Sequence, residues 1–307
     1  MEDESMSSCR LLVPDGSLQK VVHQLLAEAG IPISYPGERS YRGVIGNERL
    51  FPPPFNIATR MRPWDMPTII ADRKAELAFT GEDLIWEAGC EGKVIVLERY
   101  PLSRAGRGFT QLVVAVPNNS LIAKVSDLRP EHEVWTEYPN SAANWFASQG
   151  VNPTIRCCHG SLEALLEFAD AIFENREWGE TLKVGGWQTI AEVRKCQLCL
   201  ITCSEALENF EQRKIIDEVR LLLGAVMAAR RLCLIKCNVL AGRYDEVLSV
   251  MVMYSTGGTP TVSQLVGDKG FVLELVVESA LVDGLLPLLK EAGAELIVQT
   301  PIDKFVR

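Results

Sequence analysis

Along the first hundred residues, short apolar runs alternate with stretches in which apolar side chains recur every three or four positions. The short runs predict strands, and the longer periodic stretches predict helices. The predicted strands cover residues 11–13, 56–61 and 77–79, and the predicted helices cover residues 18–29 and 84–88. Strands that alternate with short helices are typical of an α/β unit, and we expect a largely parallel sheet in this part of the chain.

A second α/β unit begins near residue 111. Its predicted strands cover residues 112–117, 154–160 and 170–173, and its predicted helices cover residues 141–150 and 161–169, the second of them capped by Ser161. We expect the chain to return to the first unit around residues 193–202, and we place the boundary of the second lobe at residue 186. Two crossings between the same two units build a pair of lobes with a cleft between them, and such clefts are the usual ligand sites.

The last eighty residues follow a different order. A strongly helical stretch at 211–231 leads into a strand–helix–strand–strand–helix–strand pattern, which predicts a ferredoxin-like domain. The predicted strands cover residues 232–239, 261–266, 271–278 and 295–300, and the predicted helices cover residues 244–253 and 282–292. We therefore expect an α/β protein in three parts: a first lobe at 1–110 that is continued by 187–229, a second lobe at 111–186, and a small domain at 230–307.

Composition and charge exclude several classes of protein. The chain has 307 residues, of which 47% are hydrophobic, and a formal net charge of −9. A negative surface repels nucleic-acid backbones, so we expect no nucleic-acid partner. No unbroken apolar run of about 18 residues occurs, and the acidic start MEDESMSSCR lacks the features of a secretory signal. We therefore expect a cytoplasmic protein with no membrane partner.

The nine cysteines are an odd number and lie among apolar residues, which indicates reduced thiols. Cys196 and Cys199 have the spacing of a metal or redox motif. They lie in an apolar, strand-like run, however, and the sequence has no second pair of this spacing. We predict small buried side chains at these positions and no metal centre.

The stretch from Gly160 to Leu182 is the most informative for chemistry. The predicted strand at 170–173 enters a loop that begins at Glu174 and contains a glycine and a threonine. Backbone N–H groups of such a loop can hold a phosphate, and acidic residues before it can bind ribose hydroxyls or Mg²⁺. A capped helix after a surface loop would give the same pattern, so both interpretations stay open at this point.

The letters ADAI at 169–172 and GETL at 179–182 resemble the phosphoribosyl pyrophosphate loop of the ATP phosphoribosyltransferases, the first enzymes of histidine biosynthesis. Other segments are similar to that family in the same order along the chain, namely PDGSL, RPWDMP, FTGEDL, TEYPNSAANWF and GTPTVSQL. The resemblance covers nearly the whole chain. It implies the family's long form, with a two-lobed catalytic region like that of periplasmic binding proteins and a C-terminal ferredoxin-like regulatory domain.

The resemblance implies that ATP and phosphoribosyl pyrophosphate react to give phosphoribosyl-ATP and pyrophosphate, with Mg²⁺ as cofactor. Such a transfer aligns two polyanions and needs no covalent nucleophile. The resemblance also implies that histidine binds the C-terminal domain. It implies a homo-oligomer too, since family members of this length are commonly hexamers. By position, Asp170 and Glu174 would be catalytic and face the ribose or its Mg²⁺. The implied substrate-binding residues are Gly179, Glu180, Thr181 and Leu182 in the loop, Gly160, Ser161 and Glu163 before it, and Arg62, Gly81 and Asp83 in the first lobe.

Two positions depart from the family's pattern. The first turn carries Asp15 where the family usually has Lys, and Trp178 stands in the loop where a small hydroxyl residue is usual. At an effective dielectric of about 20, two unit charges about 4 Å apart interact by about 4 kcal/mol, so a reversed charge beside a phosphate weakens binding strongly. Two other hypotheses therefore stay open. One is a catalytically weak paralogue that uses another acceptor or binds a nucleotide or amino acid and regulates a partner; the other is a two-lobed solute-binding protein.

Overall fold

The computed structural model describes residues 9–102, 108–160, 162–176, 185–256, 258–267 and 269–306. The chain divides into two compact units, Met1–Arg220 and Leu221–Arg307. The second unit starts before the predicted boundary at residue 230. It takes in the end of the long linking helix because the C-terminal segment is bonded there, with Phe305 N donating to Ala225 O at 2.9 Å.

The first unit contains two mixed sheets and six named helices in its described part. Its strands are β1 (Leu11–Pro14), β2 (Ile33–Ser34), β3 (Arg42–Ile45), β4 (Ile57–Met61), β5 (Leu77–Gly81), β6 (Ile95–Tyr100), β7 (Thr110–Pro117), β8 (Glu133–Thr136), β9 (Thr154–Cys157), β10 (Ala171–Arg176), β11 (Trp187–Cys196) and β12 (Leu198–Thr202). Its helices are α1 (Gln19–Glu28), α2 (Met66–Ala71), α3 (Glu82–Glu87), α4 (Pro139–Ser148), α5 (Ser204–Glu208) and α6 (Phe210–Ala229), the last of which runs on into the second unit.

The sheet of the first lobe has the order β2-β3-β4-β1-β5-β12-β6. Only the pairs of β1 with β4 and with β5 are parallel, and the other four pairs are antiparallel. The prediction of a largely parallel sheet is therefore wrong. Strands β1, β5 and β12 are all buried along their whole length. Because the antiparallel strand β12 is as apolar as β1 and β5, the apolar pattern does not show in which direction a central strand runs.

The sheet of the second lobe has the order β11-β7-β10-β8-β9. Strands β8, β9 and β10 run parallel, while β7 is antiparallel to both β10 and β11. The lobe boundary predicted at residue 187 is too early, because β11 pairs with β7 from Trp187 to Cys196 and the first sheet resumes at Leu198, within the return predicted at 193–202. The apolar pattern continues through Gln197, so the sequence does not mark the exact point of the crossing.

A second local difference concerns the helix predicted at 161–169. The described part of this segment forms a short 3-10 helix at Leu162–Leu165 and then turns. Its apolar side chains pack with Val113, Ile172 and Trp187 on one face of the second sheet. The segment therefore covers that face without forming an α-helix of the predicted length.

The C-terminal unit has the predicted fold. It contains β13 (Leu232–Val239), α7 (Tyr244–Met253), β14 (Thr261–Gln264), β15 (Phe271–Glu278), α8 (Val282–Glu291) and β16 (Glu295–Pro301). The sheet order β14-β15-β13-β16, with all pairs antiparallel, is that of a ferredoxin-like domain. One face of the sheet buries Ile235 and Leu275 against Val247 and Leu285 of the two helices. The predicted fold class, two α/β lobes followed by a ferredoxin-like domain, is confirmed.

Across the described part of the chain, every helix is too short or too polar to span a lipid bilayer.

Candidate active site

The carboxyl ends of parallel strands meet at the facing edges of the two lobes. In the first sheet, Asp15 follows β1, Arg62 follows β4 and Asp83 follows β5. In the second sheet, Glu137 follows β8 and Cys158 follows β9, at the same edge as the end of β10. Contacts between the loops of the two edges bring them together, as described below. Ligands of open α/β sheets bind outside the carboxyl ends of the strands, so this interlobe region is the candidate site.

The first turn of the chain places Arg62 at this edge. Gly16 has φ +83°, a backbone conformation that favours glycine. A Cβ on Gly16 would lie 2.7 Å from Nη1 of Arg62, so the glycine also leaves room for the guanidinium beside the turn. Arg62 itself is exposed. The structure therefore leaves this predicted substrate-binding residue accessible at the edge of the first lobe.

Asp15, which departs from the family's pattern, has basic neighbours. With the Gln19 amide oriented to satisfy both partners, its nitrogen donates to Asp15 Oδ1 at 3.1 Å and its oxygen accepts from Arg60 Nη1 at 2.8 Å. Arg60 is buried, and its guanidinium lies 4.7 Å from the ring centroid of Tyr35. Positive charge at this turn is thus supplied from β4, by Arg60 and Arg62, in the absence of a lysine at position 15.

Two acidic side chains lie at the edge of the second lobe. Gly160 N donates to Glu137 Oε1 at 2.6 Å, and Gly160 has φ +81°. Burial, followed by electrostatic interaction with Glu137, Cys157 and Glu174, raises the pKa of Cys158 to about 11. The predicted residues Gly160 and Glu174 are therefore brought to one region. Glu137 was missed by sequence reasoning, although its position directly after β8, parallel to β10, was a usable signal.

Asp170 lies at the opposite edge of the second sheet from this region. It precedes β10, and its Oδ2 accepts a hydrogen bond from Glu133 N, at the start of β8, at 2.8 Å. Four residues of extended chain span about 13 Å, so Asp170 and Glu174 are too far apart to hold the same metal ion. The predicted pairing of these two residues around Mg²⁺ is contradicted by this geometry, and Asp170 has a structural contact instead.

Gly81 and Asp83 form a compact unit at the start of α3. A Cβ on Gly81 would overlap Asp83 Oδ1, so the glycine allows the carboxylate to fold back over the helix start. Asp83 Oδ2 accepts hydrogen bonds from Tyr138 Oη and Asn175 Nδ2, both at 2.7 Å. Burial raises the pKa of Asp83, although these hydrogen bonds act in the opposite direction. The structure thus favours an interlobe contact over the predicted substrate contact for Asp83.

Most of the predicted phosphate loop falls on residues that the structure does not describe. Gly179, Glu180, Thr181 and Leu182 lie outside the described residues, as do Trp178, Ser161 and the side chain of Glu163. Arg176 ends β10 directly before the loop. Its guanidinium donates to Thr189 Oγ1 at 2.8 Å and to Glu192 Oε1 at 3.2 Å, so it is bonded within the second lobe.

The two edges carry an exposed arginine, Arg62, and two neighbouring carboxylates, Glu137 and Glu174, which are groups that can contact phosphate oxygens directly or through a metal ion. Among the described residues, no three His, Cys, Asp or Glu side chains are grouped as a dedicated metal centre requires. Mg²⁺ in nucleotide sites is usually held by one or two carboxylates together with substrate phosphates. Glu137 and Glu174 fit that arrangement, because they lie on the same edge as the chain entering the predicted phosphate loop.

Comparisons with known proteins identify the family to which the chain belongs. The family described as ATP phosphoribosyltransferase matches residues 62–223, and the family described as HisG, C-terminal domain, matches residues 229–304. An ATP phosphoribosyltransferase of Pyrobaculum aerophilum is 34% identical over 305 residues, which cover 96% of this chain and 99% of the relative. The enzyme of the same name from Nitratidesulfovibrio vulgaris strain DP4 is 30% identical over 299 residues, 97% of this chain and 98% of the relative.

A solved structure supports the fold of most of the chain. A chain of the ATP phosphoribosyl transferase (HisG:HisZ) complex from Thermotoga maritima superposes with a TM-score of 0.57 at 20% identity. The superposition covers 70% of this chain and 98% of that chain. At this identity the likeness concerns the fold. The two family matches and the full-length relatives confirm the resemblance inferred from the motifs, and the chain belongs to the ATP phosphoribosyltransferase family, in its long form.

Proposed function

We propose that this protein joins N1 of the adenine of ATP to C1′ of phosphoribosyl pyrophosphate, giving phosphoribosyl-ATP and pyrophosphate, the first step of histidine biosynthesis. The proposal is supported by family membership over nearly the whole chain. The structural observation that carries it is the meeting of two strand edges. Arg62 stands on one edge, and Glu137 and Glu174 stand on the other, next to the segment with the GETL letters.

In this reaction the protein aligns two polyanions and stabilises the charge that develops on the leaving pyrophosphate. Arg62, beside Gly16, is placed to bind phosphate oxygens from the first lobe. The backbone N–H groups of residues 179–182 would hold the 5′-phosphate of the donor. Glu174 and Glu137 would orient the ribose and hold Mg²⁺. The metal, when bound, neutralises pyrophosphate charge.

Three finer points belong to the same proposal. The C-terminal domain binds histidine, which restrains the catalytic lobes, and the chain works as a homo-oligomer, a hexamer by resemblance to long-form members. A cytoplasmic location fits the two substrates. Isothermal calorimetry of the full chain with histidine tests the first point, and light scattering tests the second. No heat at millimolar histidine, or a monomer in solution, would contradict them.

The assay that tests the function uses purified full-length protein with ATP, phosphoribosyl pyrophosphate and Mg²⁺. We expect a near-ultraviolet absorbance increase from phosphoribosyl-ATP, and release of one pyrophosphate per product. The Asp15→Lys, Trp178→Thr double variant distinguishes this function from the main alternative, a catalytically weak paralogue. If the natural chain makes no product and the double variant does, the protein is a catalytically weak paralogue.

A further inference from the structure

Helix α3 of the first lobe carries two carboxylates that are buried against the second lobe. Asp83 is 6% exposed and Glu87 is 8% exposed. The two residues lie four positions apart, so their side chains leave the same face of the helix. Charged side chains are almost never buried unless they are paired or fully hydrogen-bonded. The hydrogen-bond partners of these two carboxylates therefore indicate the structural role of α3.

The partners of Asp83 belong to two strands of the second lobe. Tyr138 follows β8, and Asn175 is the residue before the last in β10. Both donate to the same oxygen, Asp83 Oδ2, and Asn175 Nδ2 also lies 3.4 Å from Tyr138 Oη. One carboxylate of the first lobe thus fixes the ends of two neighbouring strands of the second.

The partner of Glu87 is the N-terminus of α4. Glu87 Oε1 accepts from Asn140 N at 3.0 Å, and Oε2 accepts from Ser141 N at 2.8 Å. The Glu87 carbonyl accepts a further hydrogen bond from Asn140 Nδ2 at 3.1 Å. A helix start has backbone N–H groups without intrahelical partners, and it favours negative charge. A carboxylate from the first lobe therefore caps a helix of the second.

Apolar and backbone contacts complete the same joint. Leu84 of α3 belongs to the buried cluster of the second lobe that contains Val114 and Phe173. The ring of Trp64 lies 5.0 Å from that of Tyr138. Helix α3 is also tied to the crossing between the lobes, because Glu82 N donates to Gln197 O at 2.9 Å. Hydrogen bonds, the apolar contacts of Leu84 and the chain crossing all involve this one short helix.

We propose that α3 is an interlobe clasp and that Asp83 and Glu87 are positioning residues for the phosphoribosyl transfer. Asp83 holds the exit of β10, one residue beyond Asn175, and Glu87 holds the start of α4, both in a fixed relation to the first-lobe edge that carries Arg62. Donor and acceptor sites on opposite lobes stay aligned only while this relation is kept. The inference rests on the proposed function and deepens it, because it assigns the alignment of the two substrates to residues that touch neither of them.

The test measures Tyr138→Phe, Asp83→Ala and Glu87→Ala in the full chain. Losing a hydrogen bond to a buried charge changes an equilibrium about tenfold or more. We expect KM for phosphoribosyl pyrophosphate to rise at least about tenfold in each variant, with a smaller change in kcat. Asp83→Asn, whose amide oxygen still accepts from Tyr138 and Asn175, restores most of the loss. Asp72→Ala, on the surface of the same lobe, keeps the natural KM.

A second readout works without any substrate. Hydrogen exchange of the Asn140 and Ser141 amides is expected to be at least about tenfold faster in Glu87→Ala than in the natural chain and unchanged in Asp72→Ala. Unchanged exchange, or variants with the natural KM, would overturn the clasp. If the natural chain makes no phosphoribosyl-ATP while exchange responds as expected, the proposed function fails and the clasp stands. If the natural chain makes phosphoribosyl-ATP but the exchange of the Asn140 and Ser141 amides is unchanged in Glu87→Ala, the clasp fails and the proposed function stands.

Discussion

Tyr138 Oη donates a 2.7 Å hydrogen bond to Asp83 Oδ2, which joins the end of β8 in the second lobe to the start of α3 in the first. Both groups are buried. The two residues are 55 positions apart, so the bond exists only when both lobes are folded and in contact.

Removal of the Tyr138 hydroxyl should destabilise the first unit. Tyr138→Phe leaves the buried Asp83 carboxylate with one donor fewer, and a hydrogen bond to a charged group contributes about 1.5–3 kcal/mol. We expect the free energy of unfolding to fall by about that amount. All six tryptophans lie in the first unit, so urea unfolding followed by tryptophan fluorescence reports it. Tyr41→Phe, at a ring that is 66% exposed, is the control; equal losses in both variants would refute the prediction.

Substitution of Gly81 should displace Asp83. The added methyl group in Gly81→Ala overlaps Asp83 Oδ1, and both residues are buried. Overpacking of this kind costs about 1–3 kcal/mol. Gly224→Ala is the matched control, because a Cβ there meets open space and alanine favours the helix interior. We expect opposite signs for the two changes in thermal midpoint, and a tolerated Gly81→Ala would contradict the packing described here.

The pH dependence of stability should change when Asp83 is made neutral. Burial raises the pKa of Asp83 in the folded protein, so the folded state binds this proton more tightly than the unfolded state. The contribution of Asp83 to the unfolding free energy is therefore greatest below its unfolded pKa of about 4 and falls as the pH rises towards the folded value.

The Asp83→Asn substitution removes this pH-dependent loss of unfolding free energy, because the amide does not titrate. Compared with the natural chain, the variant should gain relative stability between about pH 4 and the folded-state pKa, by at most about 1.4 kcal/mol per pH unit. Urea unfolding at a series of pH values measures the difference, with Asp72→Asn as the variant that removes a surface carboxyl. Parallel stability curves for the natural chain and Asp83→Asn would show that the burial of Asp83 has no such effect.

The two acidic residues predicted from one motif should behave differently in the transferase assay. Glu174→Gln removes a charge at the edge that faces the first lobe, and we expect kcat/KM to fall about tenfold to a hundredfold. Asp170→Asn retains an oxygen that accepts from Glu133 N at the far edge, so its kcat/KM should stay at the natural value. Steady-state kinetics at saturating Mg²⁺ distinguishes them, and equal losses would restore the predicted pairing of the two residues.

Periodicity and local motifs were sufficient for much of the chain. The ferredoxin-like domain follows from strands and helices whose order alone restricts their arrangement, and its helix at Tyr244–Met253 has the predicted bounds. The family follows from several short motifs in one order, because each marks a turn or loop with its own local chemistry. Both kinds of information are contained in neighbouring residues.

The tertiary structure decided which strands pair, in which direction, and which edge of a sheet each acidic residue occupies. Strand β11 stays in the second sheet, Asp170 and Glu174 lie toward opposite ends of β10, and Glu87 caps a helix more than 50 residues further along the chain. Side-chain burial repeats every two or 3.6 residues whatever the partner is, so it predicts elements and leaves their pairing open. Pairing, and with it the use of Asp83 as an interlobe contact, depends on the packing of distant segments.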